Sequence, residues 1–328
     1  MAGLMWGREV SSFMRQCDCL REAKLCLCLS ISLVASGCEW IERIRGAERL
    51  RAMANAEQQD TTETSVTARQ DASGRQATLL SAFYGLDDAL PPLTDRVFCD
   101  GAGGKDGMPV IFSHEIDLAS MQAGDFRVVT EAAVEGELTC VTPAPADDPG
   151  ETRTILLIGQ YGSANDQPAL VEIVGNLLSK DGQLNFLGAA TSVTALEDGP
   201  TLVWAELLPE AEWTLGRPAT NFRGGGGSSC PVGTKQVVRA TWAGGVTKPG
   251  GQDIDDLERE AYRVTITLGD GEQVELPPFA IGDLGDGDNN HELCLDTTAK
   301  PVRVEFPAGL MTDPIEDLNP ATSITVTH

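Results

Sequence analysis

The chain is poor in the residue types that carry most enzymatic and nucleic-acid-binding functions. Histidine occurs 3 times in 328 residues, aromatic residues make up 5%, and 24 Lys and Arg stand against 49 Asp and Glu. The formal net charge of −25 repels nucleic-acid phosphates, so DNA and RNA are not expected partners. Neither GxSxG nor HExxH occurs, so the sequence predicts neither a nucleophile elbow nor a zinc-protease site.

Long hydrophobic runs are also missing. Residues 25–37, within LCLCLSISLVASGC, are fewer than the roughly 20 apolar residues that a membrane-spanning helix needs. A basic leader, a short apolar region and small residues in this order predict an export signal. An ordinary secretory signal and a buried helix are the alternatives, and Met14 is an alternative start.

The residues that end this region, Ala35-Ser36-Gly37-Cys38, resemble the lipobox of bacterial lipoproteins, although Ala35 stands where Leu is commonest. The resemblance implies removal of a signal peptide spanning residues 1–37 and acylation of Cys38. Two or three acyl chains on one residue give stable anchoring. The expected location is therefore the bacterial cell envelope, outside the cytosol, with the membrane as a partner through the lipid anchor.

The cysteines support export. Four of the nine lie in the leader and Cys38 is the lipid site. Those that remain are Cys99, Cys140, Cys230 and Cys294. An even number in an exported chain predicts two disulfides, and the spacing favours Cys99–Cys140 and Cys230–Cys294, although four cysteines allow three pairings. CxxC is absent, and no Cys/His cluster has zinc spacing.

After the signal, residues 38–90 are predicted to form a partly disordered tether. Within it, DTTETSVTARQDASGRQ (residues 60–76) has few apolar side chains, which is the composition of disorder. Residues 77–92 are apolar enough to form a short helix or an edge strand on the body that follows.

From residue 95 onwards the pattern is that of β-structure. Short runs rich in Val, Ile, Leu and Thr recur between Gly, Pro, Asp and Asn clusters, and apolar and polar residues alternate in YRVTITL and VRVEF. Such a chain exceeds the ~100 residues of one immunoglobulin-like sandwich. The predicted fold is all-β, with two Ig-like or other β-sandwich domains in tandem over residues 91–197 and 198–328. The best candidate for a short helix is residues 253–262.

Part of the first predicted domain resembles a known family. KDGMPVIFSHEIDLASMQAGDFRVVT (residues 105–130) and VEIVGNLLSKDGQLN (residues 171–185) are similar to the bacterial Ig-like domains of S-layer and other surface proteins. The resemblance covers about residues 105–196. It implies a sandwich with a structural, adhesive or spacer role, and the family has no common catalytic site.

One stretch, IGDLGDGDNNHELCLD (residues 281–296), has the composition of a cation site. Calcium prefers six to eight oxygen ligands, and alternate positions of a tight loop direct them inward. His291 replaces the glycine of an EF-hand loop, so an irregular calcium site is the hypothesis, against a plain polar turn. The candidate ligands are Asp283, Asp286, Asp288, Asn290 and Glu292.

Two functions of different classes fit these observations. The favoured one is a lipid-anchored envelope protein without catalytic activity, with a binding, spacing or structural role and an envelope protein or polysaccharide as partner. The alternative is an extracytoplasmic hydrolase or carbohydrate-binding module with a carboxylate-built, calcium-dependent site. A deep cleft lined by paired carboxylates and aromatics would favour the alternative. Residues 114–117, His-Glu-Ile-Asp, could supply a base or metal ligands, but they coincide with a strand and turn of the Ig-like pattern, and the structural interpretation is favoured.

Overall fold

The computed structural model describes residues 59–213, 227–285 and 287–328. The predicted signal peptide, Cys38 and the first part of the predicted tether lie outside the described residues, as does Asp286. The predicted all-β fold is confirmed: fifteen strands in four antiparallel sheets account for most of the regular structure. Among the described residues, no helix is both long enough and apolar enough to cross a membrane.

Seven strands and one short helix build the first sandwich. Its elements are β1 (Leu79–Ala82), α1 (Thr94–Val97), β2 (Asp106–Phe112), β3 (Phe126–Thr130), β4 (Glu137–Thr142), β5 (Thr154–Gln160), β6 (Pro168–Ile173) and β7 (Ala190–Ser192). One sheet has the order β1-β2-β5-β4 and the other the order β3-β6-β7. Strand β3 shows why the two sheets face each other: Phe126 and Val128 are buried, and the residue between them is half-buried.

Eight strands and a second helix build the second sandwich. They are β8 (Leu202–Leu207), β9 (Gln236–Trp242), α2 (Asp256–Ala261), β10 (Arg263–Thr267), β11 (Gln273–Leu276), β12 (Ala280–Gly282), β13 (Asn290–Leu295), β14 (Lys300–Phe306) and β15 (Thr322–Thr325). The sheet orders are β12-β13-β9-β8 and β11-β10-β14-β15. Asp255 caps α2 by accepting from the backbone N–H of Leu257, and Glu258 closes a capping box.

Each sandwich has its own hydrophobic core. The first contains buried residues from Ala77 to Ala189, and the second from Leu202 to Val326. The predicted division at residue 197 falls between the two sets. In the first core Phe112 packs edge-on against Phe186, with ring centroids 5.1 Å apart. Aromatic contacts of this kind add about 0.5–1.5 kcal/mol beyond the burial of their area.

The second core contains a chain of polar groups among its aromatic rings. Trp242 Nε1 donates to the Tyr262 hydroxyl over 2.8 Å, and that hydroxyl lies 2.8 Å from His291 Nδ1. Because the tyrosine oxygen accepts from the tryptophan, its own proton is free to be donated to the histidine. Burial lowers the pKa of His291 to about 4, which keeps the ring neutral and Nδ1 able to accept.

Residues 60–76 differ from the prediction of a disordered tether. The Asn176 backbone N–H donates to Asp60 Oδ2 (2.9 Å), and Asn185 donates from its backbone to Ala68 O (2.8 Å) and from its side chain to Val66 O (3.1 Å). The polar composition that suggested disorder therefore supplies hydrogen-bond partners to loops of the first sandwich. The prediction of disorder in this part of the tether was wrong.

Residues 77–92 were predicted as a short helix or an edge strand, and β1 is an edge strand, paired with β2 alone within its sheet. The two alternating runs quoted from the sequence form strands: YRVTITL contains β10, and VRVEF lies in β14. Strands β7 and β12 were missed because each has three residues, too few to show a period.

Candidate functional site

The site begins with the two central strands of the second sandwich. Every residue of β9 and of β13 is buried, which period-two alternation alone would not produce. Residues such as Val238, Ala240 and Leu293 face the second core. Their neighbours Arg239 and Glu292, which are paired across the two strands, point to the opposite face of the sheet. That face is covered by the loop that precedes β5 of the first sandwich, so the two sandwiches meet there.

At this junction Arg239 is surrounded by acceptors. Its Nη2 donates to Glu292 Oε1 and to the Pro149 carbonyl, each over 3.2 Å, and lies 3.7 Å from Glu151 Oε1. The side chains of Arg239, Glu151 and Glu292 are at most 1% exposed. Two further carboxyl groups, those of Asp148 and Asp283, are 2% and 1% exposed. We call these five residues the junction cluster.

A close backbone approach makes room for the guanidinium. Gly150 has φ +91°, and a Cβ at this position would lie 2.5 Å from Arg239 Nη1. Both features exclude a side chain there, so the Pro149-Gly150 turn is what allows Glu151 to approach the arginine.

The electrostatics of the junction cluster follow from four carboxyl groups and one guanidinium. Burial raises the pKa of Glu292 to about 7, partly opposed by Arg239. Burial likewise raises the pKa of Glu151, again opposed by Arg239. For Arg239 itself burial favours the neutral form, but Glu151 and Glu292 outweigh it and raise its pKa further.

The structure divides the predicted calcium ligands instead of gathering them. Asp283 and Glu292 belong to the junction cluster. Asp288 turns back on its own loop, where its carboxylate accepts from the Asn290 backbone (2.8 Å) and side-chain amide (2.7 Å). Asp286 lies outside the described residues. This pattern is that of an Asx turn leading into β13, combined with a separate buried cluster.

A second set of contacts between the sandwiches lies along β8. The guanidinium of Arg153 stacks over the Trp204 ring at 4.3 Å from its centroid, and Nη2 donates to Glu206 over 3.2 Å. Arg75 lies on the same indole at 5.6 Å. These contacts explain why Trp204 is half-buried although it points away from the second core, and they leave no open aromatic platform at this position.

His114 takes part in a hydrogen-bond chain with the residue types of a catalytic triad. Its Nδ1 lies 2.9 Å from Ser113 Oγ and its Nε2 lies 3.1 Å from Asp71 Oδ2. However, Ser113 Oγ donates its proton to the Gln76 carbonyl (2.8 Å) and is 2% exposed. With that proton committed to the backbone and the oxygen sealed from solvent, the hydroxyl is not set up as a nucleophile.

Beside the junction cluster lies an apolar cavity of about 160 Å³. The first sandwich contributes Phe83, Leu86 and Leu156, and the second closes it with Gly244 and Pro314. Its lining is mostly apolar, so it is not a cleft of paired carboxylates. Another acidic group, formed by Asp87, Asp88 and Asp106, is partly exposed.

The two remaining sequence-predicted features are the disulfides. The structure joins Cys99 to Cys140 and Cys230 to Cys294, the pairing that the spacing favours. The first bond connects the loop after α1 to β4 of the first sandwich, and the second connects the segment before β9 to β13 of the second.

Sequence reasoning missed three members of the junction cluster: Asp148, Glu151 and Arg239. The only local signal was Arg239 itself, a charged residue in the middle of the apolar run QVVRATW. A charged residue in a strand buried on both faces requires a partner, but the strand does not reveal where in the chain the partner lies.

Comparison with known proteins gives little more. No protein-family model matches the chain, and no curated protein matches it. Among solved structures, it is similar to the N-terminal part of the bacterial S-layer protein SbsC, with 11% sequence identity and a TM-score of 0.26. The alignment covers 78% of this chain and 45% of that one, so the chain spans less than half the length of that structure.

Proposed function

We propose that the chain is a lipid-anchored protein of the bacterial cell envelope whose sandwiches serve a non-catalytic binding, spacing or structural role. The observation that carries the proposal is a disulfide in each sandwich, Cys99–Cys140 and Cys230–Cys294. Disulfides persist in oxidising compartments outside the cytosol. The export signal and the lipobox-like residues before Cys38 would deliver the chain to such a compartment.

The junction supports the structural part of the proposal. Arg239 ties a strand of the second sandwich to Glu151 and Pro149 of the first, and Arg153 ties the first sandwich to Glu206 and Trp204 of the second. Separating the sandwiches would break the buried contacts of Arg239 and those of Arg153 together. Two modules joined in this way act as one stiff unit, as a spacer requires.

The alternative, a hydrolase with a carboxylate-built site, receives less support. Burial raises the pKa of two carboxyl groups of the junction, those of Glu151 and Glu292. However, the two residues are only 1% and 0% exposed. Glycoside hydrolysis needs two carboxyl groups that flank the substrate bond. Sealed side chains have no access to such a bond.

The test is the chemistry of the mature amino terminus. The protein is expressed in a bacterium, membranes are separated from soluble fractions, and the N-terminal peptide is analysed by mass spectrometry. We expect a peptide that begins at a lipid-modified Cys38, and membrane association that is lost in Cys38→Ser. The matched control is Cys28→Ser, because this leader cysteine is removed with the signal and its loss should leave anchoring unchanged.

Thiol labelling supplies the second readout. Without a reductant, the four remaining cysteines of the mature chain should not react with an alkylating reagent, and after reduction all four should react. A soluble cytosolic protein that keeps its leader and has reactive thiols would refute the proposal.

A further inference from the structure

We propose that the junction cluster is a binding site for one divalent cation of the calcium type, held by Asp148, Glu151 and Asp283. The proposal is independent of the lipid anchor. It differs from the calcium loop predicted from sequence, because two of its three ligands come from the first sandwich and one from the second. The ion would therefore connect the two sandwiches.

The geometry of the three carboxylates is the starting observation. One oxygen from each of Asp148, Glu151 and Asp283 lies within 4.8 Å of those of the other two. All three side chains are buried, so this is not a collection of surface acids that happen to be near each other. Calcium binds oxygen at 2.3–2.6 Å, so ligand atoms on opposite sides of the ion are up to about 5 Å apart. The observed spacing fits that requirement.

A separate observation comes from Glu292. Its side chain is 0% exposed, and while Oε1 pairs with Arg239, Oε2 has no hydrogen-bond partner among the described residues. A Cβ at Gly282 would lie 3.1 Å from this oxygen, and Gly282 immediately precedes Asp283. A buried carboxylate oxygen without a donor is unfavourable in a folded protein unless something compensates it. A cation beside Asp283 would do so.

Charge balance leads to the same conclusion. With its four carboxyl groups ionised and Arg239 charged, the junction cluster has a formal charge of −3 inside the protein. Uncompensated charge is very costly to bury, so the cluster must take up protons or a cation. A divalent cation would reduce the formal charge to −1. Arg239 lies 3.2 Å from Glu292 and 3.7 Å from Glu151, so Glu151 would be shared between the guanidinium and the ion.

The donor set selects among metals. All donors are carboxylate oxygens, which suit Ca²⁺, Mg²⁺ and Mn²⁺, and not the nitrogen- and sulfur-preferring ions. Magnesium gives up its water reluctantly and keeps several water ligands, whereas calcium accepts six to eight protein oxygens in irregular geometry. Because the three side chains are at most 2% exposed, the site favours the ion that can be dehydrated.

The experiment is a calcium titration of the full chain at neutral pH after removal of metal with a chelator. The soluble Cys38→Ser protein can be used, so that a failure of the anchor proposal does not affect this test. We expect one Ca²⁺ per chain by calorimetry. At one hundred times Kd the melting temperature should rise by about 5 °C. Magnesium at equal concentration should produce a smaller rise.

Variants locate the ion. Asp283→Asn and Glu151→Gln should abolish both the binding heat and the melting shift. The matched controls are Asp88→Asn, in the partly exposed acidic group, and Asp288→Asn, in the loop singled out by sequence, and both should bind as the wild type does. If the variants do not fold, crystals of the unmodified chain grown with Mn²⁺ should show an anomalous scattering peak between Asp148 and Asp283.

Several results would overturn the proposal. Melting curves with calcium and with chelator that superimpose would mean that protons alone balance the cluster. Retained binding in Asp283→Asn, or loss of binding in Asp88→Asn or Asp288→Asn, would place the ion elsewhere. An anomalous peak away from the junction would have the same meaning.

Discussion

The β9–β13 strand pair is buried on both faces, but the two faces carry different kinds of polar group. Toward the second core, Trp242, Tyr262 and His291 form a chain in which each polar group has a neutral partner. Toward the junction, Arg239 and Glu292 are charged groups in a cluster where acids outnumber bases. The first face resembles the interior of a single domain. The second face is buried between the two sandwiches, yet it has charged residues of the kind that usually lie on a solvent-exposed strand face. Period-two alternation predicts which residues point away from the core. It does not predict whether the face on which they lie is exposed to water.

The largest expected effect comes from removing the only guanidinium of the junction cluster. Arg239→Met keeps much of the side-chain volume and leaves Glu151 and Glu292 without their counter-charge. Breaking a buried ion pair from one side typically costs about 3–5 kcal/mol, and we expect a loss of this size in the free energy of unfolding measured in urea. The control is Glu292→Gln, which removes one negative charge from an acidic cluster and should be far milder. A loss below about 1 kcal/mol for Arg239→Met would mean that the junction is not energetically important.

The corresponding change on the core face is Tyr262→Phe. It removes the hydroxyl between Trp242 Nε1 and His291 Nδ1 and leaves two buried polar groups without a partner. Each such group costs about 1–3 kcal/mol, so we expect a loss of about 2–4 kcal/mol in chemical denaturation. Tyr161→Phe is the matched control, since its hydroxyl donates only to the Leu157 carbonyl and its loss should cost about half as much. Equal losses in the two variants would argue against a coupled chain in the second core.

The sequence could predict features that depend on neighbouring residues in the chain, but not features that depend on contacts with a distant surface. The strand runs were identified because their information is local: in YRVTITL, Val264 and Ile266 are both buried, as the alternation indicates. The observed disulfide pairing is the one that spacing favoured among three possible pairings. The tether was misjudged because composition reports how much apolar surface a segment can bury, not whether a neighbouring surface offers partners to its polar groups.

The candidate site was only partly predictable, for a physical reason. Asp283 and Glu292 were singled out as acidic residues in one loop, but their partners Asp148 and Glu151 lie in a different sandwich, far away in the chain. The pairing depends on how two folded bodies dock, and no local period encodes that. The loop's other candidates, Asp288 and Asn290, have the same composition and serve a turn instead.

A buried carboxyl group in the first sandwich, outside the junction cluster, should make the free energy of unfolding depend on pH. Asp125 is 0% exposed, its Oδ2 accepts from the Gln122 backbone, and burial raises its pKa to about 7, with the Asp60 carboxylate adding to the rise. Since the folded state holds a proton that the unfolded state has lost, this group favours folding at low pH, and stability falls as pH rises from about 4 to about 7. The expected contribution over that range is about 2–4 kcal/mol.

Asp125→Asn should remove this contribution, because an amide oxygen can still accept from Gln122 but does not titrate. The measurement is the free energy of unfolding from pH 4 to pH 8, with the difference between variant and wild type taken at each pH. That difference should grow in favour of the variant as pH rises. Parallel profiles would show that Asp125 is ionised in the folded protein throughout.

The smallest expected effect comes from an ion pair with the same chemistry as the junction but without burial. Lys180 Nζ lies 2.8 Å from Glu115 Oε1, a shorter contact than any that Arg239 makes with a carboxylate, yet the lysine side chain is 55% exposed. Exposed pairs contribute about 0.2–1 kcal/mol because water and salt screen them, so Lys180→Ala should change the free energy of unfolding by no more than this, and less in 1 M salt. The same salt should leave the cost of Arg239→Met nearly unchanged, since ions do not enter a sealed cluster. If both variants responded to salt alike, burial would not be what separates the junction from the surface.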